Sequence, residues 1–239
     1  MGRRAMGALL LLYLGLAGAM AAVWQLAPVT ALSIFLIVAI VHFAEDWREL
    51  KSNFLAQGMA IALLAAPALL HLAELERLFE MLAGQREAAL VANFLLLLAP
   101  MSVAVAIVAV WTLWRTGFRD QAWAGALMLV GMILLPPVVG FAVYFCCYHS
   151  PRHLGGALTR ASSLPRSRWI ILLVTLAALG IAALLFADEV RADLSAQAVA
   201  ASFMTLSLLT VPHMIVPAVA DALVARRLRA ANGPGPAVA

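Results

Sequence analysis

Long apolar runs alternate with short polar breaks from one end of this chain to the other. The first run extends from about Met6 to Leu26 and is closed by Pro28. A second, Val29 to Ala44, ends in the polar stretch Glu45-Asp46-Trp47-Arg48-Glu49, and a third covers about Phe54 to Leu72 with Pro67 inside it. After a charged connector, a fourth runs from about Ala88 to Trp111, with Trp111 and Trp114 placed as interface anchors. A hydrocarbon layer of about 30 Å needs roughly 20 apolar residues at 1.5 Å per residue, so runs of this length predict membrane-spanning helices. In the connector, Leu75, Leu78, Phe79 and Leu82 recur at helical spacing, which predicts an interfacial helix over 74–87.

The stretch Gln121 to Leu154 is harder to read. Its 34 residues would make one helix about 50 Å long, well beyond the hydrocarbon thickness. Pro136-Pro137 sits in its middle, and consecutive prolines break a helix. Two short spans, 121–135 and 138–154, resolve the conflict. Two more follow at 169–187 and 198–220. The fold predicted is all-α, a polytopic transmembrane helical bundle with about eight membrane crossings. Residues 1–225 form a single domain and 226–239 a short basic tail, read as disordered.

Charge tests that topology. With the break, one side of the membrane holds 13 of the 16 basic residues, and only Arg77, Arg86 and Arg191 lie on the other; without it the division is 7 against 9. The positive-inside rule therefore favours eight crossings with both termini cytoplasmic. The first 22 residues also imitate a signal peptide, but a second apolar run follows directly and favours a first transmembrane helix. At 65% hydrophobic and 12% charged residues, the composition excludes an ordinary soluble domain. The net charge of +4 reads as orientation signal and anionic-lipid contact, with no nucleic-acid partner.

The same break sets the histidines level. His42, His149, His153 and His213 fall in the cytoplasmic half, and His71 falls opposite, where it reads as structural. His149 and His153 are four apart, hence on one helix face. Each alone also has a structural explanation: carbonyl bonding at the interface for His149 and His153, a helix-end pair with Asp46 for His42, and a carbonyl freed by Pro212 for His213. Four at one depth, from three helices, instead suggest a metal site, for which neutral imidazole is the commonest ligand. Asp46, one turn from His42, is placed to orient a ligand imidazole through its ring N–H; Glu45 points about 100° away, toward headgroups. Tyr144 and Tyr148 sit at anchor depth, and Tyr148 is the one placed to line a pocket and act there. The adjacent Cys146 and Cys147 form no metal spacing and read as small buried apolar residues. No nucleotide-binding or hydrolase signature is present.

Three motifs together carry a resemblance. His-Phe-x-x-Asp stands at His42–Asp46, Tyr-Phe-x-x-x-His-Ser-x-Arg-His at Tyr144–His153, and Leu-Thr-x-Pro-His at Leu209–His213. In order and approximate spacing these resemble the Brp/Blh family, the bacterial and archaeal membrane β-carotene 15,15′-dioxygenases. The resemblance implies a non-haem Fe(2+) enzyme that uses O2 to split the central double bond of β-carotene into two retinal molecules. It implies His42, His149, His153 and His213 as metal ligands and, for a cell inner-membrane protein, a functional link to a retinal-binding opsin; Asp46 and Tyr148 stand as further site residues on their placement beside those histidines. The family pattern also opens with a Pro-His-Gly-type motif and an Asp ahead of the first span, whereas no histidine precedes His42 here. A non-catalytic or accessory role in retinal–opsin biogenesis therefore stands as the alternative. A two-iron desaturase needs more histidines, in paired boxes, than the five present.

Overall fold

The computed structural model describes residues 3–84, 87–153 and 196–231. Among the described residues every regular element is a helix. Three of these helices are long and apolar enough to cross a membrane, Gly7–Leu26, Pro28–Leu50 and Ala88–Arg115, or four if one bent pair is counted as a span. The predicted span at 169–187 lies outside the described residues.

α1 (Arg3–Leu26) and α2 (Pro28–Ala44) meet at Ala27, where Pro28 opens α2 with its fixed φ and no N–H to satisfy. α2 does not end in solvent. It tightens into a 3₁₀ turn over Glu45–Leu50, irregular at Trp47 (φ −114°, ψ 28°), and Lys51 closes the hook with φ 53°. The hook turns Asp46, Trp47 and Leu50 inward. Ser52 then caps α3 (Asn53–Ala65) by accepting the N–H of Leu55.

Pro67 breaks the next helix, and α4 (Ala68–Ala83) leaves α3 at 66°. This revises the interfacial helix expected over 74–87. Leu75, Leu78, Phe79 and Leu82 are buried against Leu32, Phe35 and Leu95 inside the bundle. A periodic apolar stripe signals only that something apolar covers it, and here the cover is protein. α5 (Ala88–Arg115) carries its own packing code: Ala88, Ala92, Leu95, Ala99, Ser102, Ala106, Ala109 and Leu113 alternate by four and three residues and are all buried. Such a seam of mainly small residues lets helix backbones approach closely, the usual way apolar helices associate in lipid. Opposite it on α3, a methyl on Gly58 would overlap the side chain of Val105.

The break at Pro136-Pro137 is present. α6 (Arg119–Leu134) stops at Leu135, which is extended, and α7 (Pro137–Tyr144) starts anew. Gly140 of α7 packs against Met132 and Gly131 of α6, so the pair forms a tight helical hairpin. His71 donates to the carbonyl of Leu134 at 3.3 Å, satisfying an acceptor that the prolines leave without a helical partner. Beyond α7 the helix widens to a π turn over Phe145–His149 and returns to α-helix through His153. α8 (Ala196–Ala231) is tied to α1 where Trp24 donates to Ser207 at 2.7 Å, and it carries Arg226, Arg227 and Arg229 within its last turns.

Candidate metal centre

The centre is built around a buried carboxylate. Asp46, at 1% exposure, is held by the 3₁₀ hook and receives three side-chain donors from one helix. Tyr144 donates its hydroxyl to Oδ2 at 2.6 Å, His149 its Nδ1–H to the same oxygen at 2.8 Å, and His153 its Nε2–H to Oδ1 at 3.2 Å. Three donors on two oxygens suit a carboxylate acting purely as acceptor.

The π turn makes this convergence possible. In an α-helix, residues five apart are about 140° apart around the axis. Here the N–H of Ser150 reaches back to the carbonyl of Phe145 in an i→i+5 bond, which stacks residue five over residue zero. Tyr144 and His149 therefore share a face and a partner. Cys146 and Cys147 fall on the other side of the turn and are exposed, not buried as expected from composition. Tyr144 is likewise no interface anchor: it is 0% exposed, and the spacing that signals its role has meaning only on a π turn.

His42 completes a cluster with the two imidazoles opposite. Its ring centroid lies 4.8 Å from that of His149 and 5.0 Å from that of His153. His42, His149 and His153 can each offer one ligand atom such that all lie within 4.8 Å of one another. Asp46 does not orient His42, although it follows by one turn; its partners are the imidazoles of the other helix. The carboxylate nearest His42 is Glu45, at 3.7 Å from Nδ1 and too far for a hydrogen bond. The 3₁₀ turn explains this approach, because it brings residues three apart into register.

The donor set fits a metal ion. Asp46 takes one nitrogen of His149 and of His153 as N–H, which leaves the opposite nitrogen of each ring as a lone-pair donor. His42 Nδ1 is buried with no hydrogen-bond partner. A carboxylate fixing imidazole tautomers from behind is the usual support of a histidine metal site. His213, on α8, sets its ring 5.6 Å from that of His42 but is itself exposed and lies outside the tight group. Tyr148 stacks on Trp47 with centroids 5.1 Å apart, the Arg152 guanidinium lies over the Tyr148 ring at 5.3 Å, and the buried tyrosine hydroxyl meets no partner. Arg152 also pairs with Glu49 at 2.8 Å, clasping the hook to the π-bearing helix.

Comparison with known proteins adds an independent finding. A family model described as Beta-carotene 15,15'-dioxygenase matches residues 1–221. A curated relative, the Beta-carotene 15,15'-dioxygenase of an uncultured marine bacterium (66A03), is 30% identical over 225 residues, covering 87% of this chain and 78% of the relative. No solved structure matches.

Proposed function

The chain belongs to the beta-carotene 15,15'-dioxygenase family, and we propose that it is a membrane-embedded, iron-dependent member that converts β-carotene and O2 into two molecules of retinal. One oxygen atom enters each aldehyde, so the reaction balances without a further reductant. The observation that carries this reading is the Asp46-centred group of His42, His149 and His153.

In this proposal those three histidines hold Fe(2+), with His213 as a fourth ligand drawn in from α8. When bound, the ion supplies the binding and activation of O2 that carbon–carbon double-bond cleavage requires. The chain's own residues do the rest. Asp46 keeps a proton on His149 Nδ1 and on His153 Nε2, so that their other nitrogens stay free to ligate. Tyr144 anchors Asp46 from the third side. Phe43, 4.9 Å from His149 and 5.1 Å from Tyr144, keeps water from the apolar side of the cluster. Tyr148 is the second residue assigned to the chemistry, its buried hydroxyl being without a hydrogen-bond partner.

The wider reading follows from the substrate. β-Carotene dissolves in lipid, and the apolar helices fit a bilayer setting. We place the chain in a bacterial inner membrane with about eight crossings and both termini cytoplasmic, its retinal destined for an opsin.

Expression in carotene-producing cells tests the proposal directly. The orange colour is expected to bleach and retinal to accumulate. His149→Ala and His153→Ala should abolish both effects, whereas His71→Ala, which removes only the contacts with Leu134 and Glu74 far from the cluster, should retain them. Colour that persists while the iron-loaded protein is present would sink the dioxygenase reading. A haem band in the purified protein would favour the accessory role instead.

A further inference from the structure

Aromatic rings lead from the histidine cluster to apolar space on one side of the bundle. Phe145 lies 5.3 Å from His149 and opens onto a groove of about 380 Å³ between α7 and α8. Val138, Phe141, Ala142, Phe145, Val199 and Phe203 are among its lining residues. From Phe145 back to Val138, and from Leu206 back to Val199, the helices each advance about 10 Å at 1.5 Å per residue. The groove therefore begins beside the cluster and runs away from it along both helices.

Its inner wall is a pair of rings. Phe141 and Phe203 stand 5.0 Å apart, and both also line a second, much narrower slot of about 40 Å³ on their far side. That slot is walled by Leu32 and Phe35 of α2 and by Leu75 and Phe79 of α4. Phe35 and His42 are seven residues apart and share a face of α2. Two apolar spaces thus lie on either side of one ring pair, and only the outer one, which reaches Phe145 beside the cluster, is large enough for a ligand.

We propose that the α7–α8 groove seats one arm of the carotenoid polyene, and that the Phe141–Phe203 wall decides which double bond stands at the histidine cluster. This rests on the carotenoid-cleaving reading above. A hydrocarbon polyene offers no polar group by which a site could register it. Its position is set by apolar shape alone, and hydrophobic pockets discriminate by steric limits. The wall is such a limit: while both rings stand, the arm has one seat, and removing either ring joins the slot to the groove and creates a second.

The test separates binding from cleavage. Metal-free protein in lipid nanodiscs is titrated with β-carotene, and the visible band is followed. Wild type is expected to bind saturably. Ala142→Trp and Val199→Trp, which fill the groove from opposite helices, should each weaken binding at least tenfold, and Val130→Trp, exposed on α6, should leave it unchanged. In carotene-producing cells, Phe141→Ala and Phe203→Ala should yield aldehyde pairs of unequal length at a tenth or more of total product. The proposal is overturned if both groove-filling variants bind as wild type does, or if both ring deletions give only equal halves. A wild-type protein that neither binds nor cleaves carotenoid overturns the functional reading beneath it instead.

Discussion

Asp46 is the residue on which the site turns. A buried carboxylate costs several kcal/mol in lost hydration unless donors replace the water, and here Tyr144, His149 and His153 replace it. Asp46→Asn keeps the shape but offers the imidazoles one acceptor oxygen and one N–H₂ donor. Removing the supporting carboxylate of a histidine metal site costs about 10–100-fold in affinity, and a drop of that order is expected for iron or cobalt titrated into the variant. Tyr144→Phe removes one hydrogen bond to a charged group, worth about 1.5–3 kcal/mol. A lower melting temperature with weaker metal retention is the expected result; unchanged values for both would show that the hydroxyl does nothing for the site. Tyr148 makes no such contact. Tyr148→Phe should lower turnover and leave metal content as it is, a split that a purely structural ring would not produce.

Helix irregularities, more than the helices themselves, assemble the centre. Three of them matter: the 3₁₀ hook that turns Asp46 inward, the proline break before α7, and the π turn that stacks His149 over Tyr144. Cys146 and Cys147 occupy the outer side of that turn, so exchanging both for serine is expected to leave metal content unchanged; loss of metal would mean that they ligate. Gly140 is different, because α7 closes on Met132 of α6 there. Gly140→Leu overpacks the hairpin by a whole side chain, at a cost of about 1–3 kcal/mol. Thermal unfolding in detergent should show the loss, and metal binding should weaken with it, since the hairpin sets the height of His149.

For the whole molecule, direction is the organising fact. His42 meets His149 where Phe35 and Phe141 line one slot, and His213 nears His42 where Phe203 touches Phe141. α2, α7 and α8 therefore run the same way and deliver their histidines to one end of the bundle. Large apolar side chains such as Leu97, Met101, Ile107 and Leu127 remain exposed on the outside of α5 and α6, a surface suited to lipid. The proposed topology places the histidine end on the cytoplasmic side. Reporter fusions to Leu26, Gly84 and the C-terminal end should report cytoplasmic activity only for the last. A periplasmic signal from the C-terminal fusion would overturn the eight-crossing topology and the charge argument behind it.

The all-helical class, the run boundaries near Leu26, Ala44 and Ala88, and the break at Pro136-Pro137 were legible in the chain itself. They follow from local causes, apolar periodicity and the geometry of proline, which act through neighbours in sequence. The histidines could be picked out in the same way, since an imidazole amid apolar residues is conspicuous wherever it falls. What the chain could not disclose is which side chain answers which. Asp46 lies one turn from His42 yet serves His149 and His153, about a hundred residues away; Tyr144 reads as an anchor yet is its nearest donor. The stripe on α4 looked lipid-facing and is covered by α2 and α5. Pairing of this kind depends on a non-helical hook and a single wide turn, each of which rotates a side chain by a large fraction of a turn. Such rotations are selected by the contacts they complete across the bundle, and those exist only once the tertiary structure has formed.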